Sequence, residues 1–161
     1  MPHSRFCEKI ISGGQTGADR AALDFAIKYG YPYGGWLPKG RKAEDGPVPL
    51  KYKLSEMTYG GYIQRTKQNV DVSGGTLIVN MGKLDGGTLA TRTFAEKSGK
   101  PCLVVQLNQD ATEDIADAAT KVLAWLRSYS IKTLNVAGPR ESKRPGIYRL
   151  TFRLLETVEG F

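Results

Sequence analysis

The strongest constraint on the fold is the alternation of short apolar runs with amphipathic segments, separated by glycines. The run Thr76–Asn80 is followed by the glycine-rich segment Gly82–Gly87 and then by Thr88–Ser98, which has helical spacing. The strand-like runs are continuously apolar, which is typical of parallel strands covered on both faces. The sequence therefore predicts an α/β protein with a Rossmann-like, three-layer αβα fold and a mostly parallel central sheet.

The same pattern runs through the rest of the chain. Predicted strands span 6–12, Tyr31–Leu37, Thr76–Asn80, Pro101–Leu107 and Leu134–Ala137, and predicted helices span Ala18–Tyr29, Tyr62–Val72, Thr88–Ser98, Thr112–Ser128 and Gly146–Val158. Gly30 is predicted to cap the first helix and Thr112 to begin the fourth. Pro38–Leu54 is a long polar loop, of the kind that is functional or disordered in compact domains. With 161 residues, we expect one domain spanning residues 1–161.

Composition excludes several classes of protein. No segment approaches the ~20 apolar residues of a membrane span, and residues 1–8 carry no apolar stretch of signal-peptide length, so we expect a cytoplasmic protein without membrane contact. The chain has two cysteines, Cys7 and Cys102, too few for a disulfide framework. With these cysteines and a single histidine, His3, we expect no directly ligated metal. The net charge of +7 suits anionic partners, but the basic residues are dispersed, which argues against nucleic acid.

The first glycine-rich turn joins a predicted strand to a predicted helix. Glycines let the backbone approach a ligand, and the helix that follows presents free N–H groups to an anion. The dinucleotide fingerprint is incomplete, because Ser12 replaces its first glycine and no acidic residue follows about 20 positions later. We therefore predict a phosphate-binding turn without a standard NAD site, the alternative being a plain tight turn. Its candidate ligand-binding residues are Gly13, Gly14, Gln15, Thr16, Gly17 and Arg20.

Further candidates follow other predicted strands, where ligands of parallel sheets bind. They are Gly86, Gly87, Thr88 and Thr91 in the second turn, Trp36, Lys39 and Arg41 in the long loop, and Arg140, Glu141 and Ser142 after the last strand. Trp36 could stack on a ring and the cations could hold phosphate, although a solvated loop with a buried tryptophan explains the loop equally well. Arg65, Thr66 and Asn69 share one helix face, which alone favours a solvated polar surface.

No motif specifies a reaction. The chain lacks a P-loop and a G-x-S-x-G sequence, and one terminal histidine cannot supply a Ser/His/Asp set. Carboxylates are the remaining acid–base candidates, and spacing selects no pair among Asp19, Asp24, Glu44, Asp45, Asp85 and Glu141. Three functions stay open: a binding protein for a phosphorylated small molecule, a nucleotide-processing hydrolase, and a nucleic-acid binder supported only by charge.

Several segments together resemble the molybdenum carrier family, within the lysine-decarboxylase-like Rossmann group. They are Gly13–Asp24, Gly35–Gly46, Arg65–Thr66 with Asn69, Gly86–Thr88 and Asn135–Ser142. The resemblance implies a Rossmann-like homo-oligomer whose turns bind a molybdenum cofactor (molybdopterin) or a nucleotide. Some relatives hydrolyse N-glycosidic bonds with a glutamate after the Gly-Thr turn. Thr91 stands at that position here, so the resemblance favours a carrier over a hydrolase.

Overall fold

The structure, a computed structural model, describes residues 4–109 and 114–161, so His3 and the predicted cap Thr112 lie outside it. Its elements are β1 (Lys9–Ile11), α1 (Ala18–Tyr29), β2 (Tyr33–Gly34), β3 (Trp36–Leu37), β4 (Ser55–Glu56), α2 (Tyr62–Asp71), β5 (Gly75–Asn80), α3 (Gly86–Lys97), β6 (Cys102–Gln106), α4 (Asp114–Ser128), β7 (Thr133–Ala137) and α5 (Ile147–Glu159). Five strands form a parallel sheet in the order β2-β1-β7-β5-β6. This is the α/β Rossmann-like fold that the sequence predicts.

The helices pack in two groups, α1 with α5 and α4, and α2 with α3. Alternate strand residues join the core of the first group: Ile10, Leu77, Val79, Leu134 and Val136. The intervening positions include polar residues, and Asn135 donates a hydrogen bond to Thr76 at 3.3 Å. No described helix is both long and apolar enough to cross a membrane.

The predicted strand over Tyr31–Leu37 is wrong as a single element. Gly35 breaks it, with φ of +129°, and a Cβ atom there would lie 2.0 Å from the carbonyl oxygen of Ser12. β2 therefore pairs with β1, whereas β3 leaves the main sheet and pairs in parallel with β4.

The first and last strand-to-helix turns touch each other at the carboxyl edge of the sheet. Gly17 has φ of +79°, and a Cβ atom there would lie 2.4 Å from the carbonyl oxygen of Pro139. The Glu141 carboxylate accepts hydrogen bonds from the backbone N–H groups of Gly146 at 2.7 Å and Tyr148 at 3.0 Å. Glu141 therefore caps the start of α5, where its negative charge is stabilised by the partial positive charge of the helix N-terminus.

Lys100 holds the end of α2. Its ammonium group donates to the carbonyl oxygens of Val70 and Asp71 in the last turn of the helix and to that of Ser73 just after it. We expect Lys100→Met to lower the free energy of unfolding by about 1–2 kcal/mol, because charged hydrogen bonds and the helix-end charge are both lost. Urea denaturation measures this, with Lys121→Met on the exposed side of α4 as the control. Equal effects of the two substitutions would contradict the assignment.

Candidate functional site

A buried ion pair between α1 and α2 forms the base of the candidate site. The Arg65 Nη1 group lies 3.1 Å from the Asp19 Oδ2 atom, and the two residues are only 9% and 4% exposed. The same Asp19 oxygen accepts the backbone N–H of Gln15 at 3.3 Å. The Nε atom of Arg65 is buried without a hydrogen-bond partner among the described residues. Asn69, one turn further along α2, is also buried and bonds both backbone polar groups of Trp36, accepting from its N–H and donating to its C=O.

The expectation of a solvated polar face on α2 is therefore wrong for Arg65 and Asn69. Helical spacing gave no sign of their burial, since spacing shows that residues share a face and not what covers that face.

Gly13 makes room for the ion pair. A Cβ atom at this position would lie 1.6 Å from Nη1 of Arg65, closer than any real contact. Position 13 therefore requires glycine because the Arg65 side chain approaches the backbone there. Gly14 and Gly17 are required for a different reason: their φ angles of +73° and +79° lie in the left-handed region that favours glycine.

Asp19 has the most perturbed carboxyl group of the site. Burial raises the pKa of Asp19 from 3.8 to about 6, although the charge of Arg65 and the hydrogen bonds from Gln15 and Arg65 oppose that rise. A carboxyl group whose pKa lies this close to neutral, inside a cleft, is a candidate for proton transfer.

Glu44 of the long loop engages the donors that the sequence assigned to phosphate. Its carboxylate accepts from the hydroxyl groups of Thr16 and Ser142 and from the Ser142 N–H at 3.1 Å, and it pairs with Arg140 Nε at 3.3 Å. Desolvation raises the pKa of Glu44, but these hydrogen bonds and Arg140 outweigh it and hold the pKa below its ordinary value. Thr16 and Ser142 therefore attach the loop to the turns.

A second contact attaches the loop through Asp45. Arg20 donates to both carboxylate oxygens of Asp45, at 3.0 and 3.1 Å, and to the Gly14 carbonyl oxygen. The Gln15 side-chain oxygen accepts the N–H groups of Thr16 and Glu44. The polar side chains of the first turn are thus largely occupied by contacts within the protein.

The second turn is more open. α3 begins at Gly86 without a side-chain cap, so its first N–H groups have no intrahelical partner. Asp85, just before it, pairs with Lys143 at 2.5 Å, and the hydrogen bond from Lys143 is the main cause that lowers the pKa of Asp85. The Thr91 hydroxyl group donates to the Gly87 carbonyl oxygen at 2.9 Å.

The ion pair and the two turns border a cleft of about 300 Å³, which lies between α2, α3 and the segment after β7. It is lined by Gln15, Asp19, Tyr62, Ile63, Arg65, Thr66, Gly87, Thr88, Thr91, Ala137, Gly138, Pro139, Arg140 and Lys143. Of the residues predicted from the sequence, the cleft brings together Gln15, Gly87, Thr88, Thr91 and Arg140. The cleft also contains residues that the site prediction omitted: Asp19, Tyr62, Ile63, Arg65, Thr66 and Lys143.

The candidates from the long loop lie elsewhere. Trp36 lines a different groove, beside Lys9 and Lys53. Arg41 donates to the carbonyl oxygens of Val48, Pro49 and Tyr52 within its own loop, and Lys39 is exposed outside the cleft. The structure does not bring these three residues to the cleft: Trp36 lies in β3, and the loop that follows folds back on itself through the contacts of Arg41.

The donor set of the cleft fits an anion better than a metal ion. Among residues 4–109 and 114–161, no group of three or more histidine, cysteine or acidic side chains could hold a metal ion. Burial raises the pKa of the Cys7 and Cys102 thiols to about 12 and about 11, and neither residue lines the cleft. Arginine, lysine and helix N–H groups are instead suited to phosphate oxygens.

The fold defines a Rossmann-like α/β protein, with a cleft at the carboxyl edge of its sheet that is lined by Arg65, Arg140 and Lys143. Over residues 10–159 the chain matches the family described as cpYpsA, circularly permutated YpsA SLOG family, and it belongs to that family. It is also similar to a crystal structure at 1.45 Å resolution from Syntrophus aciditrophicus SB, described as a "Putative molybdenum carrier protein", with 55% identity, a TM-score of 0.89 and 94% of each chain covered. These two findings confirm the resemblance drawn from the motifs. No curated protein matches the chain.

Gly13→Ala tests the need for close approach beneath Arg65. We expect it to lower the free energy of unfolding by about 3 kcal/mol, because the methyl group displaces the guanidinium group and separates a buried ion pair. Urea denaturation measures the loss. Gly74→Ala is the matched control, since the nearest atom to a Cβ there lies at 3.6 Å. A loss no greater than that of the control would show that Arg65 relocates without cost.

The raised pKa of Asp19 predicts how stability depends on pH. Between pH 3.8 and about 6 the folded protein binds more protons at Asp19 than the unfolded chain does, so its contribution to stability falls as the pH rises. This contribution is fully present below pH 3.8 and is lost as the pH passes through about 6. Relative to Asp19→Asn, the wild type should therefore lose roughly 2–3 kcal/mol between pH 4 and pH 7. Urea denaturation across this range measures the difference, and parallel pH profiles would contradict the raised pKa.

Proposed function

We propose that this protein binds a phosphorylated small molecule in the cleft between α2, α3 and the segment after β7. The observation that carries the proposal is the set of three cations that line the cleft, Arg65, Arg140 and Lys143, beside the uncapped start of α3. Arginine and lysine side chains and a helix N-terminus are all stabilised by an anion.

The other cations of the cleft retain donors for a ligand. Arg140 meets Glu44 through Nε, and its side chain is 55% exposed, so its terminal nitrogens can reach an anion. Lys143 meets Asp85 with one of its three N–H groups. Phosphate binding at Gly87 and Thr88, with Arg140 and Lys143 around it, is therefore the arrangement we favour.

Molybdenum cofactor and a nucleotide are the two ligands we propose. The similar protein from Syntrophus aciditrophicus SB is described as a molybdenum carrier, which supports the first. Both compounds carry phosphate, and the cleft offers phosphate donors but no cluster of metal ligands among the described residues. We therefore propose that a molybdenum cofactor would be held by its phosphate, as cargo.

Isothermal titration calorimetry tests the proposal with nucleoside monophosphates and phosphorylated pterins. We expect Lys143→Gln to weaken binding about tenfold, because a charge-assisted hydrogen bond is lost, and we expect added salt to weaken binding further. Lys121→Gln on α4 removes the same charge outside the cleft and should leave the affinity unchanged. The proposal fails when no phosphorylated compound binds, or when both variants bind as the wild type does.

Hydrolysis of a nucleotide is the second candidate, and Asp19 is the observation that favours it. Its carboxyl group lies in the cleft with a pKa of about 6, which suits a general acid or base near neutral pH. The phosphate-binding residues would be the same, and Asp19 would supply the proton transfer.

Release of free base from nucleoside monophosphates, followed by chromatography, tests this candidate. We expect Asp19→Asn to lower any such rate at least ~100-fold, as loss of a general acid or base does. Asp24→Asn is the control: that carboxylate lies outside the cleft and accepts hydrogen bonds from Tyr52 and Tyr148. If nucleoside monophosphates bind and no free base is released, hydrolysis of the N-glycosidic bond is excluded and the carrier function stays as the proposal.

A further inference from the structure

The mouth of the cleft carries exposed apolar side chains that its phosphate-binding residues do not explain. Tyr62 and Ile63, in the first turn of α2, are 45% and 62% exposed, and both line the cleft. We call these two side chains the Tyr62–Ile63 wall. Apolar groups of this size exposed inside a binding cleft are typical of ligand contacts.

The Tyr62 ring is supported from within the protein. The Arg65 guanidinium group, whose Nη1 atom pairs with Asp19, lies 5.5 Å from the centre of the Tyr62 ring. Because Arg65 is itself fixed by that buried ion pair, it restricts the position of the ring. An aromatic ring held in this way can accept a second flat group at little entropic cost.

The cleft therefore combines two different chemistries. The Tyr62–Ile63 wall is apolar, whereas Lys143, Arg140 and the start of α3 are suited to an anion. The volume of about 300 Å³ lies at the lower limit for small-molecule sites, which suits one ring system with one phosphate better than a dinucleotide.

Resting on the proposed function, we infer that the ligand is a planar heteroaromatic compound with a single phosphate, and that its ring lies against the Tyr62–Ile63 wall. Tyr62 is thus the specificity-determining residue, and it replaces Trp36, which lies outside the cleft, in the predicted role of ring contact. Nucleoside monophosphates and phosphorylated pterins share this chemistry.

Calorimetry with three probes tests the inference: guanosine 5′-monophosphate, 6-hydroxymethylpterin monophosphate and ribose 5-phosphate, which lacks the aromatic ring. We expect the wild type to bind at least one aromatic probe about tenfold more tightly than ribose 5-phosphate, and Tyr62→Ala to abolish that difference while leaving ribose 5-phosphate binding unchanged. Tyr62→Phe should retain it. Tyr59→Ala, which removes a 67% exposed ring outside the cleft, is the control and should also retain it.

The possible results separate the inference from the proposed function. Equal affinity for all three probes, or an equal loss for all three in Tyr62→Ala, would overturn the inference while leaving phosphate binding intact. Absence of binding by every probe would overturn the proposed function and the inference with it. Which aromatic probe binds more tightly distinguishes a nucleotide from a pterin.

Discussion

The ion pair between Asp19 and Arg65 connects the parts of the site. Asp19 lies in the first turn of α1, whereas Arg65 lies on α2, in the other group of helices. Burying both charges is costly unless they are paired and hydrogen-bonded. The Gln15 N–H donates to Asp19, Gly13 leaves space for the Arg65 guanidinium group, and the Tyr62 ring lies against that group. The ion pair thus fixes Arg65 of α2 against the first turn. Asp19, whose pKa is raised by burial and lowered by Arg65, is the only carboxyl group among the described residues that lines the cleft.

The acidic residues of the long loop change what the first turn can do. Glu44 and Asp45 accept hydrogen bonds from Thr16, Ser142 and Arg20, the donors that the sequence assigned to a phosphate. A carboxylate and a phosphate compete for the same donors, and these contacts are the reason why we propose a phosphate position beside α3. The loop is therefore a structural part of the site even though Lys39 and Arg41 lie outside the cleft.

The sequence predicted the fold well because its signals are local. Apolar runs, helical spacing and the cap at Gly30, which has φ of +72°, each depend on a few neighbouring residues. Prediction failed where distant segments meet. Gly35 breaks a strand because Ser12 lies against it, and Arg65 is buried because Asp19 and Gly13 surround it. No local pattern reports such contacts, and the resemblance alone pointed to Arg65.

The topology explains why the cleft depends on the whole chain. β1 and β7 are neighbours at the centre of the sheet, so the turn after the first strand meets the segment after the last one, as Gly17 and Pro139 show. α2 and α3, from the middle of the chain, supply the opposite wall. A ligand bound there as we propose would contact segments more than a hundred residues apart, so its binding energy would oppose unfolding of the entire sheet. The proposed binding would therefore couple ligand affinity and fold stability through the same few turns.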